Sequence, residues 1–148
     1  MRTLYFDSTY IFKIQCNEFG TPEVRACAAH ANCVASALHG RAEFISACHR
    51  KIRESSGTHG QLRAMLAQMQ METDQGALKW LPITAEMIAH VESVVQDAPA
   101  SCYLRASDAI HLACAAQNGF QEIYSNDRHL LAAAPLFGLR GVNVIPQK

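Results

Sequence analysis

The stretch Leu4-Tyr5-Phe6-Asp7-Ser8 decides the fold, because a short apolar run closed by an acid and a hydroxyl predicts a strand that enters a helix. A similar order occurs near the other end of the chain, where Glu122-Ile123-Tyr124-Ser125 predicts a strand and 127–134 a helix. In an open parallel sheet, ligands bind outside the carboxyl ends of the strands. We therefore expect Asp7 and Asp127 to project into the same crevice.

Strand and helix patterns alternate along the rest of the chain. The predicted strands are 32–36, 79–82 and 142–145. The predicted helices cover 62–69 and 105–118, a third begins after Thr84 as its cap, and a fourth carries an apolar stripe of Leu38, Ala42, Ile45, Cys48 and Ile52. Short strands that alternate with helices indicate a parallel sheet covered on both faces. The sequence predicts one α/β domain spanning residues 1–148.

Composition restricts how the protein could bind nucleic acid. The 148 residues are 49% hydrophobic and 18% charged, which is typical of a globular chain. Lys plus Arg equals Asp plus Glu at 13 each, so the formal net charge is zero. Any RNA binding must therefore come from a local basic patch that offsets an acidic patch elsewhere.

The cysteines indicate a reducing environment. The six cysteines form no C-x-x-C pair and lie in apparent core stretches, and the sequence shows no signal peptide. No apolar stretch is long enough to span a membrane. We expect a cytoplasmic protein with reduced thiols and no membrane contact.

Carboxylates provide the candidate chemistry. Besides Asp7 and Asp127, Glu43 lies in an apolar helix neighbourhood, and Asp108 lies early in a helix rich in Ala, Leu and Ile. Several carboxylates that converge on one crevice repel one another, and a divalent cation with a preference for oxygen ligands removes that repulsion. Taken singly, each acid has a plainer explanation: Asp7 and Asp127 as charges that cap or begin a helix, Glu43 and Asp108 as solvated helix residues.

Four segments resemble the PIN-domain family, in particular the VapC-type toxin ribonucleases of type II toxin–antitoxin systems. They are Tyr5-Phe6-Asp7-Ser8-Thr9-Tyr10-Ile11-Phe12-Lys13, Cys33-Val34-Ala35-Ser36 with Arg41-Ala42-Glu43, Leu104-Arg105-Ala106-Ser107-Asp108-Ala109-Ile110-His111-Leu112-Ala113, and Tyr124-Ser125-Asn126-Asp127-Arg128-His129-Leu130. The third is the most specific, because it is close to the family's L-R-x-x-D-A-x-H-L-A run. The segments occur in the family's order and cover nearly the whole chain.

The resemblance implies a fold, an activity and a site. The fold is a single PIN domain over residues 1–148, an α/β/α sandwich with a central parallel sheet of about five strands. The activity is Mg²⁺- or Mn²⁺-dependent cleavage of RNA phosphodiester bonds by the toxin of a toxin–antitoxin pair. The implied catalytic and metal-binding residues are Asp7, Glu43, Asp108 and Asp127. The implied partners are the RNA substrate, a VapB-like antitoxin and a second copy of the chain.

Other polar residues near the acids have candidate roles. Ser8 and Ser125 are candidates for orienting the carboxylates, although both are equally typical of strand ends and caps. Lys13, Arg105 and Arg128 are candidates for binding substrate phosphates, or else for structural ion pairs. We interpret His111 and His129 as packed or surface histidines rather than catalytic bases.

Two other classes of protein remain open from the sequence. One is a non-catalytic PIN-fold module that binds RNA or a protein, against which the presence of all four acids argues. The other is a different α/β family, such as a metal-dependent phosphatase or a phospho-accepting receiver domain. A receiver domain is expected to place its Asp pair and a Lys on different strands, whereas Lys13 here follows Asp7 on a helix.

Overall fold

The computed structural model describes residues 2–147, in which parallel strands alternate with helices. The strands are β1 (Thr3–Tyr5), β2 (Cys33–Ala37), β3 (Leu78–Leu81), β4 (Glu122–Tyr124) and β5 (Arg140–Val142). The helices are α1 (Ser8–Gln15), α2 (Thr21–Ala29), α3 (Gly40–Arg53), α4 (His59–Asp74), α5 (Ala85–Val95), α6 (Ala106–Gln117) and α7 (Arg128–Ala133), the last followed by a 3₁₀ turn (Ala134–Phe137). Over these residues, no helix has both the length and the apolar character needed to cross a membrane.

The strands form one parallel arrangement in the lateral order β3-β2-β1-β4-β5. Hydrogen-bonded pairing joins β1 to β2, β2 to β3, and β4 to β5, all in parallel. The two halves meet between β1 and β4, where Phe6 forms a parallel bridge with Tyr124 and the Asp7 amide donates to the Tyr124 carbonyl at 3.0 Å. This order confirms the predicted parallel sheet of about five strands.

Apolar cores lie on both faces of the sheet. Successive side chains of β1 point to opposite faces, so Tyr5 packs with α6 residues such as Leu112, whereas Leu4 and Phe6 pack with Phe44 of α3. The first core is built by α5, α6 and α7, and the second by α1 to α4. The α/β/α sandwich that the sequence predicted is therefore present.

The structure corrects several sequence boundaries. Helix α2 was not predicted; it begins after Gly20, whose φ of 91° turns the chain, and has a Pro in its first turn. Leu38 is not part of the α3 stripe, because it lies in the turn after β2 and is 48% exposed. The last strand is Arg140–Val142 rather than 142–145, because Asn143 leaves the sheet to bind the Tyr10 hydroxyl at 2.7 Å. The predicted cap of α5 is confirmed, since the Thr84 hydroxyl accepts from the Met87 amide.

The close packing of α7 on β5 requires a glycine. An added Cβ at Gly141 would lie 2.8 Å from Leu131 Cδ2 and 3.1 Å from both its Cα and its carbonyl oxygen. We expect Gly141→Ala to lower the free energy of unfolding by about 1–3 kcal/mol, because backbone atoms must move. Chemical denaturation measures this change.

Gly60 in the first turn of α4 provides a matched control. An added Cβ at Gly60 meets only the Thr58 hydroxyl oxygen, at 3.8 Å. Gly60→Ala is therefore expected to leave stability unchanged or raise it by about 0.4–1 kcal/mol. Equal stabilities for the two variants would contradict the packing described for Gly141.

Candidate functional site

Asp7 lies at the carboxyl end of β1 and is the N-cap of α1. Its Oδ1 accepts from the amides of Thr9 and Tyr10 at 3.1 and 3.2 Å and from the Thr9 hydroxyl at 2.6 Å. Its Oδ2 accepts from the Ser125 hydroxyl at 2.5 Å. Burial raises the pKa of Asp7, although these hydrogen bonds and a charge on His111 act in the opposite direction.

Asp127 occupies the equivalent position after β4 and is the N-cap of α7. Its Oδ1 accepts from the amides of His129 and Leu130 at 2.8 and 3.1 Å. The Asp127 amide donates to the Ser125 hydroxyl at 2.9 Å, and that hydroxyl in turn donates to Asp7. Ser125 thus links the two acids that the sequence placed at the carboxyl edge of the sheet.

Asp108 lies in the first turn of α6 and is buried. Arg105 donates from Nε to Asp108 Oδ2 at 3.1 Å and from Nη2 to Asp127 Oδ2 at 3.0 Å, so one guanidinium joins the two carboxylates. Burial raises the pKa of Asp108, Arg105 lowers it, and Asp127 raises it further. A buried carboxyl with a carboxylate neighbour is stabilised by a cation.

Glu43 lies in the first turn of α3 and faces α6. Its Oε2 accepts from the Ser107 hydroxyl at 2.6 Å, and its Oε1 is 2.7 Å from His111 Nε2 and 3.5 Å from His39 Nε2. Burial raises the pKa of Glu43, but the hydrogen bonds from His111 and Ser107 outweigh burial and bring the pKa down to about 2. Glu43 is therefore ionised at neutral pH.

His111 connects Glu43 to the core. Its side chain is fully buried, and Nδ1 is 2.7 Å from the hydroxyl of Tyr5 on β1. Because the ionised Glu43 can only accept, His111 Nε2 donates to it. The sequence interpretation of His111 as a packed residue was correct about burial and missed the carboxylate contact. The sequence offered a signal for one histidine contact with Glu43, because His39 stands four residues before it and such a spacing places two side chains on the same helix face.

Electrostatic effects join the four predicted acids at one edge of the sheet. Burial raises the pKa of Asp7 and of Asp108, and a positive charge on His111 lowers both pKa values. The same His111 side chain contacts Glu43. Asp127 is connected to Asp108 through the Arg105 guanidinium and to Asp7 through the Ser125 hydroxyl. Hydrogen bonds thus link Asp7, Asp127 and Asp108 through Ser125 and Arg105, whereas Glu43 contacts His111. Within residues 2–147, no three of the four acids have oxygen atoms within 4.8 Å of one another, and their roles as metal ligands stay a prediction.

The three candidate phosphate-binding residues differ in their burial and in their ion-pair partners. Lys13 is buried, and its ammonium donates to Glu18 at 3.0 Å and to the Phe19 carbonyl at 2.6 Å. Arg105 is exposed but bridges the acids, and Arg128 is exposed beside Asp127. Arg105 and Arg128 therefore remain candidates for phosphate binding, whereas Lys13 holds the loop after α1.

The hydroxyls also differ from expectation. Thr9, which the sequence analysis did not single out, supplies the hydroxyl that contacts Asp7, and it accepts from the Asn126 amide at 3.1 Å. Ser8 lies one position earlier and lines the mouth of a neighbouring groove. Thr9 contacts Asp7 and Ser8 does not, because the residue two positions after a helix N-cap directs its backbone amide toward the capping side chain.

A groove of about 310 Å³ runs between α1 and α3 beside the acids. Ser8, Thr9 and Asn126 line it near the carboxyl edge, and Glu43 and Lys51 line its α3 wall. A larger cavity of about 510 Å³ lies at the opposite, amino-terminal edge of the sheet and contains none of the four acids. Of these two, only the smaller groove is lined by one of the four acids, Glu43.

The similarity of this chain to known proteins lies in its fold. No family model and no curated protein sequence matches the chain. The toxin VapC20 from Mycobacterium tuberculosis, described as cleaving the sarcin-ricin loop, aligns with a TM-score of 0.68 at 16% identity, over 88% of this chain and 94% of that chain. A chain of VapBC2 from Rickettsia felis, solved with a DNA fragment from their promoter, aligns with a TM-score of 0.66 at 9% identity, over 95% of this chain and 98% of that chain. The fold is that of the VapC-type PIN-domain toxins.

Proposed function

We propose that this chain is a divalent-metal-dependent endoribonuclease and the toxin of a toxin–antitoxin pair. The observation that carries the proposal is the connection of Asp7, Asp108 and Asp127 through Ser125 and Arg105. Glu43 joins this group from α3 through the imidazole of His111. Such an array of carboxylates at the carboxyl edge of a parallel sheet suits phosphodiester cleavage.

The residues present fit Mg²⁺ or Mn²⁺. The four acids offer only oxygen donors, which hard cations prefer, and carboxylates in such sites commonly leave room for water and substrate phosphate. Burial raises the pKa of Asp108, and the nearby Asp127 raises it further, so the pair gains from a bound cation. When bound, the ion neutralises charge that develops on the phosphate during cleavage.

The chain's own residues position the reactants. Ser125 fixes the Asp7 carboxylate, and Ser107 fixes that of Glu43, so both acids are held before RNA arrives. Of the four acids, Glu43 lines the groove between α1 and α3, and Lys51 lies on the same wall. We propose that a single RNA strand follows this groove, with Arg105 and Arg128 contacting its phosphates beside the acids.

The partners follow from the toxin role. The similarity in fold to VapC20, described as a sarcin-ricin loop cleaving toxin, and to VapBC2 supports a cognate VapB-like antitoxin for this chain. We extend the proposal to a cytoplasmic homodimer in which residues 1–148 form a single domain.

Expression in a bacterial host tests the proposal in cells. Induction of the wild-type chain without an antitoxin is expected to arrest growth and to produce new RNA ends at defined positions. Asp7→Asn is expected to do neither, because it removes a carboxylate charge from the site while Asn still caps α1. Growth curves and sequencing of RNA ends measure both effects.

The control for this experiment is the exposed Asp97, which lies outside the site. Asp97→Asn should arrest growth as the wild type does at matched protein levels. Growth arrest that persists in Asp7→Asn, or new RNA ends that are the same in both variants, would refute the proposed activity.

A further inference from the structure

One group of side chains near the acids has a different chemistry from the rest. Within residues 2–147, the only group of three or more His, Cys, Asp or Glu donors whose atoms all lie within 4.8 Å of one another is His39, Glu43 and His111. His39 is at the N-cap of α3, Glu43 lies one turn later on the same helix, and His111 comes from α6. Two imidazoles and one carboxylate thus converge from two packed helices.

These donors match a transition metal better than a hard cation. Imidazole nitrogen suits Zn²⁺ and its neighbours, and two His with one carboxylate is a known catalytic zinc ligand set. Glu43 Oε1 lies 3.5 Å from His39 Nε2 and 2.7 Å from His111 Nε2. Ligands at about 2.0–2.1 Å in a tetrahedron are about 3.3 Å apart, so the first of these distances already fits and the second has to lengthen by about 0.6 Å.

Ser107 of α6 and Tyr5 of β1 provide supporting contacts for the ligands. Glu43 is held through its other oxygen by the Ser107 hydroxyl, which leaves Oε1 for the metal. His111 Nδ1 is 2.7 Å from the Tyr5 hydroxyl, which already accepts from the Ala37 amide at 3.1 Å. When Nε2 binds the ion, the imidazole hydrogen resides on Nδ1, and the Tyr5 oxygen accepts it. Such a partner on the second nitrogen is the usual support for a ligating histidine.

Buried polar atoms beside the group lack partners. Within residues 2–147, His39 Nδ1 and Ser36 Oγ are buried without a hydrogen bond. Ser36 Oγ and His111 Cε1 lie 3.4 and 3.6 Å from the position a Cβ would take at Gly40, so this turn of α3 packs directly on the group. Neither of these two atoms is a ligand in the arrangement above. The ligand atom, His39 Nε2, is 3.0 Å from the Ser107 carbonyl and has to exchange that contact for the ion.

We propose that His39, Glu43 and His111 bind one Zn²⁺-like transition-metal ion at a site that shares only Glu43 with the proposed hard-cation site of the four acids. His111 is the buried ligand, whereas the side chains of His39 and Glu43 are 17% and 26% exposed. The ion therefore enters from solvent and keeps a position open for water.

The site shares Glu43 with the acid group, which gives it a consequence for activity. This consequence rests on the proposed ribonuclease function; metal binding by the three residues does not. An ion held between the two imidazoles fixes Glu43 toward α6 and withholds it from Mg²⁺ or Mn²⁺. Micromolar Zn²⁺ is thus expected to inhibit RNA cleavage in the wild type and to inhibit it less in His39→Ala.

Cobalt spectroscopy tests the binding directly, without RNA. Co²⁺ titrated into EDTA-treated, dialysed protein is expected to give the visible absorption of four- or five-coordinate cobalt at one ion per chain. His39→Ala and Glu43→Gln should each weaken Co²⁺ binding by at least about 10-fold, because each removes a ligand or its charge. Zn²⁺ should displace the Co²⁺, and a large excess of Mg²⁺ should not.

Three controls separate this site from other metal binding. His49→Ala changes an exposed histidine of the same helix, α3, and should leave the spectrum unchanged. Asp108→Asn should also retain it, so loss of Co²⁺ binding in Asp108→Asn but not in His39→Ala would place the ion at the acids and overturn the inference. Thiolate charge-transfer bands would assign the ion to cysteine and do the same. His111→Ala is not relied on, because His111 is fully buried and its loss endangers the fold.

Discussion

Asp108→Asn is expected to lower the rate of RNA cleavage by at least about 100-fold, since even indirect partners of a metal contribute about 10–100-fold. Asp108 is buried in the first turn of α6, and Arg105 joins it to Asp127. Asn keeps the size and one oxygen of the side chain but loses the charge that holds a cation. Single-turnover cleavage of a labelled RNA measures the effect.

The fold of this variant should survive, which separates a loss of chemistry from a loss of structure. Burial raises the pKa of Asp108, so its ionised form does not stabilise the metal-free protein. We therefore expect an unchanged or higher melting temperature for Asp108→Asn in EDTA. Asp97→Asn, at an exposed position, should cleave at the wild-type rate. Wild-type cleavage by Asp108→Asn would remove this residue from the site.

The second large effect is a dependence of stability on pH in metal-free protein. Burial raises the pKa of Asp7 and of Asp108 above the ordinary Asp value. At pH values between the ordinary and the raised pKa, the folded protein therefore binds protons that the unfolded chain has released. The free energy of unfolding therefore falls as the pH rises from about 4 through the raised pKa values. Glu43 has the opposite sign: its pKa of about 2 contributes stability that is present above the ordinary Glu value and lost as the pH falls toward 2.

Asp7→Asn isolates one part of this profile. The variant should be more stable than the wild type at pH 7, by about 1.4 kcal/mol for each unit by which folding raises the Asp7 pKa, less the cost of rearranging the Ser125 contact. The difference should shrink as the pH falls through about 4, because below the ordinary Asp pKa of about 3.9 the carboxyl becomes protonated in the unfolded chain as well. Urea denaturation in EDTA at several pH values measures it. A variant that is less stable by the same amount at every pH would show that Asp7 acts only through its hydrogen bonds.

The fold was predictable because its signals are local. Leu4-Tyr5-Phe6 and Ile123-Tyr124 are short apolar runs, each followed by a residue that caps a helix, Asp7 or Asp127. The alternation of such units fixes a parallel sheet, and the carboxyl ends of its strands fix one edge. Element ends were less predictable: Leu38 continues the apolar spacing of α3 but lies before the helix begins at Gly40.

The site was predictable only in part. Asp7 and Asp127 follow strands, so topology alone placed them together. The partners of Glu43 depend instead on how α3 packs against α6, which the spacing of apolar residues does not determine. The contacts of His39, Ser107 and His111 with Glu43 therefore emerged only from the folded chain.

The most direct measurement is the rate of RNA cleavage by purified, antitoxin-free wild-type protein as a function of Mg²⁺ and Mn²⁺ concentration, with Asp108→Asn measured alongside. We expect cleavage at defined positions that rises with metal to saturation, stops in EDTA and is lost in Asp108→Asn. Folded wild-type protein that binds RNA but does not cut it with either metal would refute the ribonuclease function, and would identify the chain as a binding module that retains the fold.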